Sequence, residues 1–270
     1  MTQLTAYQIY DLLNRPRPLW LVKIDLSDAN LWLADLSGAD LSWANLARTD
    51  LSRATLIKTN LTRANLAGAN FFEALCSRAI LIAASLIRAD LTRADLGKAD
   101  LSEADLTEAN LTRASFSVAS LTAANLNNAN ASRADFSKAD LSGANLFSAN
   151  LALANFFEAN LSRVRARGAQ MARVDLNRAN LSGAQLQEVD LTGADLSGAR
   201  LVNTDFTAAR LDGADLSSAD VSGAIFDQVN LSRAITAKTD MTKVRKGGAG
   251  AARTDPTQPA RTTGGLLDIR

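Results

Sequence analysis

Residues 89–111 have the sequence ADLTRADLGKADLSEADLTEANL, in which Ala, Asp or Asn, and Leu return every five residues. This spacing fits neither an α-helix nor a flat β-strand. It advances an α-helix by about 500°, which would spread Leu91, Leu96 and Leu101 around the whole helix. In a flat strand the odd spacing would point successive leucines to opposite faces. A chain that buries all of these leucines must therefore turn once in every repeat.

The five-residue frame runs through most of the chain. From Leu26 to Met241 it continues without insertion over about forty-four repeats. Ala, or sometimes Thr or Val, stands two residues before each central residue, and the residue directly before it is mostly Asp or Asn. One small and one large buried position per repeat fit a narrow tube with short extended walls. Asp, Asn and Gly favour turns at its corners, and glycines such as Gly38 and Gly143 indicate that some corners need positive φ.

This tandem A[DN]LXX motif resembles that of pentapeptide-repeat proteins. The resemblance covers about residues 24–244 and implies an all-β solenoid, a right-handed quadrilateral β-helix with four pentapeptides per coil. Such a helix would have about eleven coils, joined by backbone hydrogen bonds. Side chains twenty residues apart would then stack, which predicts two aromatic ladders: Phe116, Phe136 and Phe156, and Phe206 and Phe226.

The two ends of the chain lack the repeat, so we expect three regions. Residues 1–23 form an N-terminal cap with a short amphipathic helix from Thr5 to Asn14, stopped by Pro16 and Pro18. Residues 24–244 form the β-helix. Residues 245–270 are rich in Gly, Pro and Thr, which predicts a disordered tail.

The residue inventory argues against an enzyme, a cofactor or a metal. The chain has no histidine, and its one cysteine, Cys76, occupies a central position, where we expect it to be buried. Asp175, Asp195 and Asp215 should stack, and we expect their carboxylates to bond to turn backbone rather than to a cation. No signal peptide and no long apolar run are visible. We therefore expect a cytoplasmic protein without membrane contact.

Some positions that should face outward carry apolar side chains. Contiguous exposed apolar surface commonly marks a partner site. This predicts two groups of protein-binding residues. The first is Ile57, Phe72, Leu75, Ile80, Ile82 and Ile87, which Trp32, Leu33 and Trp43 extend toward the N-terminal end, and the second is Phe147, Leu153 and Phe157. The alternatives are a locally degenerate repeat or self-association.

Basic residues form a second kind of candidate surface. Arg163, Arg165, Arg167 and Arg173 fall where the motif weakens, and they could hold an anion or an acidic partner. Two basic columns are also predicted: Arg53, Arg93, Arg113 and Arg133, and Lys58, Arg78, Lys98 and Lys138. The alternative for all of them is a solvated face compensated by neighbouring Asp.

The C-terminal end of the tube would leave unpaired backbone groups and an open lumen. Apolar residues gather there, and they predict an end-to-end homodimer: Ile225, Phe226, Ile235, Met241 and Val244. The alternative is a plug formed by the GLLDI segment at residues 265–269.

These observations favour a non-enzymatic structural module that binds an unidentified protein partner. The resemblance implies one alternative, a DNA mimic that binds DNA gyrase and protects it from quinolones. The net charge of +1 and the absence of loops within the frame oppose that alternative. A second alternative, direct nucleic-acid binding through the arginine columns, is opposed by the interleaved Asp, and nucleic acid is not the expected partner.

Overall fold

The computed structural model describes residues 5–14, 16 and 18–245. Helix α1 spans Ala6–Leu13, and a 3-10 helix spans Met241–Lys243. Between them, isolated parallel bridges join residues twenty positions apart, from Trp20 with Asp40 to Asp215 with Ile235. A two-residue turn precedes each bridging residue in the repeat, so four turns separate a residue from its bridge partner. Each coil therefore has four short sides and four corners.

We name the corners and sides in chain order. Corner A holds residues 22–23, corner B 27–28, corner C 32–33 and corner D 37–38, together with every residue twenty positions further along. Side AB is centred on residue 25, side BC on residue 30, side CD on residue 35 and side DA on residue 40, with the same twenty-residue recurrence. Residues that share a column are thus neighbours in successive coils.

The core is one continuous column inside the coils. Each side turns two residues inward, a central large one and a small one two positions earlier, and both are buried, as at Leu101 and Ala99. The rings of Phe116, Phe136 and Phe156 stack with centroids 4.9 and 4.8 Å apart, and Phe206 stacks on Phe226 at 5.0 Å. Both predicted ladders are present, and their spacing gives the distance between coils.

The hydrogen bonds of a single repeat explain its Asp or Asn. In residues 60–64, the Asn60 N–H donates to the preceding coil, and the N–H groups of Leu61 and Arg63 donate to the following coil. The Ala64 N–H closes the turn on the Leu61 carbonyl at 3.0 Å. The remaining donor, the Thr62 N–H, is accepted by the Asn60 side-chain Oδ1 at 3.1 Å. All five backbone donors are therefore satisfied, and the side chain before the central residue supplies the last acceptor.

Positive φ is common at the corners and is not confined to those that hold glycine. The second corner residue has φ between 54° and 62° at thirty-four non-glycine positions, from Lys23 to Lys238, and nine glycines adopt the same region. Positive φ at the third residue of a turn, but not at the second, is the type II pattern. The expectation that only some corners need it was too narrow, because the closed coil demands the same turn whichever residue is present.

Helix α1 adjoins the first coil. Its N-cap, Thr5, forms a capping box with Gln8, and Ile9 is buried in the same core cluster as Leu19 and Leu21. The role of the helix as a cap over the first coil stays a prediction. No helix within the described ranges is long and apolar enough to span a membrane.

The other end of the tube changes after Ile235, where the bridges stop. Asp240 caps the 3-10 helix by accepting from the Thr242 N–H. Arg245, predicted to begin the tail, still donates to the Ala224 carbonyl at 2.9 Å, so the coil extends one residue further than predicted. The rest of the predicted tail, residues 246–270, and the GLLDI segment lie outside the described residues.

Candidate interaction surfaces

The first apolar group divides between two surfaces. Leu75 lies at the middle of side CD and Ile80 at the middle of side DA, and they are 45% and 39% exposed. Ile57 at corner D and Ile82 at corner A are both half-buried. Together the four side chains cover the surface from side CD across corner D and side DA to corner A. We call these four residues the apolar patch. Half-buried Phe72 lies at corner C, at the other edge of side CD from Ile57, whereas half-buried Ile87 lies at corner B, so the six residues do not all share one surface.

Two members of the apolar patch occupy a position that normally supports the fold. Leu75 and Ile80 stand directly before a central residue, where Asp or Asn accepts the second following N–H. Their aliphatic side chains offer no acceptor to the N–H groups of Ser77 and Ile82. Losing such a bond costs about 1 kcal/mol. The chain thus replaces a stabilising acceptor by exposed apolar surface at two consecutive turns.

The second apolar group is dispersed. Phe147, Leu153 and Phe157 lie at corners B, C and D, and Phe157 is half-buried. Because five residues advance the chain by one corner, residues close in sequence face different directions. The prediction of a single surface was therefore wrong for this group.

The arginine cluster is divided by the same geometry. Arg163 lies at corner A and Arg173 at corner C, whereas Arg165 and Arg167 lie on side AB and corner B. The last two line an open groove of about 660 Å³ together with Phe147. The Arg167 guanidinium binds Glu188 at 2.7 Å, and this hydrogen bond raises the pKa of Arg167. The structure thus joins Phe147 to two arginines that the sequence assigned to another group.

The predicted end-to-end contact is largely covered by the chain itself. Phe226 is only 3% exposed and stacks inside the tube on Phe206. Ile225 is half-buried, and Met241 and Val244 pack partly against the core. Only Ile235, 42% exposed, presents an apolar side chain to solvent. The five residues therefore do not form one exposed surface, because the central position points inward even in the last coil.

Both basic columns are present at corners C and D. At corner C, Glu73 binds Arg53 at 3.0 Å and Arg93 at 3.2 Å. At corner D, Lys138 lies 3.7 Å from Glu158. Within the described part of the chain, the other five form no ion pair: Lys58, Arg78, Lys98, Arg113 and Arg133. An open groove of about 570 Å³ runs along corner C beside Phe72, Arg93, Arg113 and Arg133.

Exposed aromatic residues near the N-terminal end form a surface that the sequence showed only in part. Trp20, 75% exposed, lies on side DA, and Trp43 lies at the adjoining corner A, with the Arg63 guanidinium 4.9 Å from its ring centroid. Trp32 and Leu33 lie at corner C, away from Trp43. Trp20 could have been found from the repeat, since it stands twenty residues before Asp40 at a position that favours Asp or Asn.

Cys76 and the three stacked aspartates are engaged in the fold. Cys76 is buried, and burial raises the pKa of its thiol far above the ordinary value. The Oδ1 atoms of Asp175, Asp195 and Asp215 accept the turn N–H groups two residues later at 2.9, 2.8 and 2.8 Å. This is the backbone role predicted for these three carboxylates.

The sequence matches the family described as pentapeptide repeats in eight copies, over residues 24–63, 34–71, 84–122, 114–152, 154–193 and 190–228. The chain is a pentapeptide-repeat protein. Members of this family form right-handed quadrilateral β-helices, in agreement with the four-sided coil seen here. A search of curated proteins gave no match.

Solved structures of other pentapeptide-repeat proteins resemble this one. HetL, from the cyanobacterium Nostoc sp. strain PCC 7120, is 34% identical over 83% of this chain and 97% of its own, with a TM-score of 0.65. It is described as involved in the regulation of heterocyst differentiation. QnrB1, a plasmid-mediated fluoroquinolone resistance protein, is 16% identical over 66% of this chain and 82% of its own, with a TM-score of 0.41. The second likeness extends no further than the fold.

Proposed function

We propose that this pentapeptide-repeat protein is a non-enzymatic interaction module whose tube holds side chains in fixed positions for a protein partner. The observation that carries the proposal is the apolar patch. Leu75 and Ile80 expose aliphatic surface at positions where Asp or Asn would add a hydrogen bond to the turn. Since this exchange weakens the fold, contact with a partner is its most direct explanation.

The proposal includes the finer architecture that the sequence predicts. A right-handed β-helix of about eleven coils, with α1 over its first coil, gives a rod roughly 50 Å long. Such a rod presents each side as a flat strip with repeating columns. A partner could recognise several columns at once without any conformational change in this protein.

Chemistry and similarity both favour binding over catalysis. The chain contains no histidine, Cys76 is buried, and many Asp carboxylates accept hydrogen bonds from the turns. HetL, described as acting in the regulation of differentiation, is matched over 97% of its length. We extend a regulatory role to the present protein by that likeness.

The charge distribution argues against the DNA-mimic alternative. A mimic of duplex DNA needs a dense negative surface. Corners C and D instead carry columns of Lys and Arg, five of which form no ion pair within the described ranges. A gyrase supercoiling assay in the presence of quinolone tests this alternative, and we expect no protection.

The test of the proposed function uses a variant that should fold better while binding less. Leu75→Asn/Ile80→Asn restores the acceptors of both turns and removes the apolar surface. In affinity capture from a lysate of the source cells, we expect a partner held by the wild type to be lost with this variant. Leu153→Asn is the matched control, because Leu153 is also 45% exposed but lies at corner C, outside the patch.

Two outcomes would reject the proposal. If the double variant captures the same proteins as the wild type, the patch is not a binding surface. If Leu153→Asn abolishes capture equally, binding does not depend on the patch in particular. Thermal unfolding of all three proteins, with no lower midpoint for the double variant, separates lost binding from lost structure.

A further inference from the structure

We infer that side CD, between residues 53 and 138, binds an acidic α-helix of the partner laid parallel to the axis of the tube. This inference rests on the proposed function and names the chemistry of the partner. It follows from the charge of this side, from the five of its eight cations that form no ion pair within the described ranges, and from the distance between coils.

Charge is distributed unequally around the tube. Over residues 52–138, side CD with its two corners carries eight basic side chains and three acidic ones, Glu73, Asp95 and Asp135. The opposite side AB with its corners carries three of each over residues 42–128. The near-neutral total of the chain therefore conceals one strongly positive side. Such a surface attracts an acidic partner and orients it before contact.

The positive charge of side CD is available to a partner. Lys58, Arg78 and Lys98 at corner D and Arg113 and Arg133 at corner C are exposed and form no ion pair among the residues described. The two aspartates between the columns are engaged locally. Asp95 accepts from the Gly97 N–H at 2.9 Å and Asp135 from the Ser137 N–H at 3.0 Å.

The distance between coils suits a helix better than a strand. Stacked side chains repeat every 4.8 to 5.0 Å along the tube. One face of an α-helix repeats about every 5.4 Å, whereas one face of an extended strand repeats about every 6.7 Å. Across the four steps from Arg53 to Arg133, a helix would drift by about 2 Å from the arginine column and a strand by about 7 Å. Flexible arginine side chains can absorb the smaller mismatch.

The apolar end of the same side indicates that the helix is amphipathic. Leu75 lies at the middle of side CD, between half-buried Phe72 at corner C and Ile57 at corner D. An apolar turn of the partner helix would contact these residues, and its acidic turns would continue along Lys98, Arg113 and Arg133.

A nucleic acid fits side CD less well than an acidic helix. Its phosphates are continuous, so they would meet Glu73, Asp95 and Asp135, whereas a helix can place uncharged residues there. Stacking platforms for bases are also few, since Phe72 is the one aromatic side chain with an outward position on this side over residues 52–138.

The test compares three probes by fluorescence anisotropy in about 50 mM NaCl. The first is an Ala-based helical peptide of about 21 residues, with Leu in its first turn and Glu alternately three and four residues apart. The second is an isomer of equal composition with Glu at every second position. The third is single-stranded DNA of about 20 nucleotides. We expect the first peptide to bind at least about fivefold more tightly than its isomer and than the DNA.

Charge reversal locates the site. Arg113→Glu/Arg133→Glu should weaken binding of the helical peptide by at least about tenfold. Lys23→Glu/Arg63→Glu changes the net charge equally at corner A and should weaken it by less than about twofold. Equal losses with both variants would mean that binding follows total charge, and the assignment to side CD would be wrong.

The remaining outcomes separate this inference from the proposed function. Equal affinity of the two peptides would overturn the register argument, and tighter binding of DNA would make side CD a nucleic-acid surface. If the captured partner depends on Leu75 and Ile80 but survives Arg113→Glu/Arg133→Glu, the interaction module stands and the acidic helix is rejected. If no partner depends on the apolar patch, the peptide titration still decides the chemistry of side CD.

Discussion

The Thr204 hydroxyl donates a hydrogen bond of 2.8 Å to the carbonyl oxygen of Leu181 in the preceding coil. Thr49 and Thr59 bond to the carbonyls of Leu26 and Leu36 in the same way, at 2.8 and 2.7 Å. Threonine is therefore tolerated at the small inward position because its hydroxyl reaches a turn carbonyl one coil away. Thr236 occupies the large central position instead, and its buried Oγ1 has no partner among the described residues.

This difference predicts opposite effects of the same substitution. Thr236→Val removes an unsatisfied hydroxyl and should stabilise the protein by about 1 kcal/mol, whereas Thr204→Val breaks a bond and should destabilise it by about 1 kcal/mol. Urea unfolding followed by circular dichroism measures both. The same sign of change in the two variants would contradict the hydrogen-bond assignment.

Val118 combines a β-branched side chain with φ of 61° and stands exposed at corner D. This conformation costs an L-residue about 1–2 kcal/mol, and glycine escapes that cost. Val118→Gly should therefore raise the unfolding temperature, although glycine substitution usually lowers it. The reverse change, Gly143→Ala, meets open space but has φ of 69°, and it should lower the temperature. If Val118→Gly is destabilising, the left-handed backbone conformation assigned to residue 118 is wrong.

Acid should weaken the tube through its turn-capping aspartates. Hydrogen bonds from the Ser222 side chain and backbone lower the pKa of Asp220, and Ser27 and Thr242 do the same for the pKa values of Asp25 and Asp240. A carboxyl group with a lowered folded-state pKa contributes stability above its unfolded pKa. That contribution is lost as the pH falls from about 5 to about 3.

Asparagine offers the same acceptor without titrating. We therefore expect Asp25→Asn/Asp220→Asn/Asp240→Asn to unfold near the wild-type temperature at pH 7 but to lose less stability on acidification. Differential scanning calorimetry between pH 7 and pH 3 makes the comparison. An identical acid dependence in the two proteins would show that these three carboxylates do not contribute to it.

The Cys76 thiol should be inert while the protein is folded, because it is fully buried and burial raises its pKa. A colorimetric disulfide reagent should react with it only after the protein is unfolded in denaturant, and Cys76→Ala should abolish that reaction. Rapid labelling of the native protein would place this residue outside the core.

Much of this architecture follows from the repeat alone. The five-residue frame separates inward from outward positions, and the twenty-residue period of the family places Phe116, Phe136 and Phe156 in one ladder before any coordinates are known. Asp and Asn at the turns were also predicted, because their side chains bond to backbone two residues later. Local chemistry and a single period determine these features.

Surface grouping was less predictable, because neighbours in sequence are not neighbours in space. Arg163 and Arg167 are close in sequence but stand on different corners. Phe147 and Arg167, assigned to different groups, are twenty residues apart and line one groove. The φ of residues such as Val118 was also missed, since closure of the coil overrides the preference of the individual side chain. Candidate sites in such chains are better sought by column than by segment.

The bridges between residues twenty apart also govern how a gene for such a chain can lengthen or shorten. Duplicating or deleting twenty codons adds or removes one whole coil and leaves the columns of all later coils in place. A change of five codons also preserves the buried pattern, yet it rotates everything beyond it by a quarter turn and moves the arginines of corner C onto another edge. The chain would still fold after either change, but a partner that recognises one column would still bind only after the twenty-codon change.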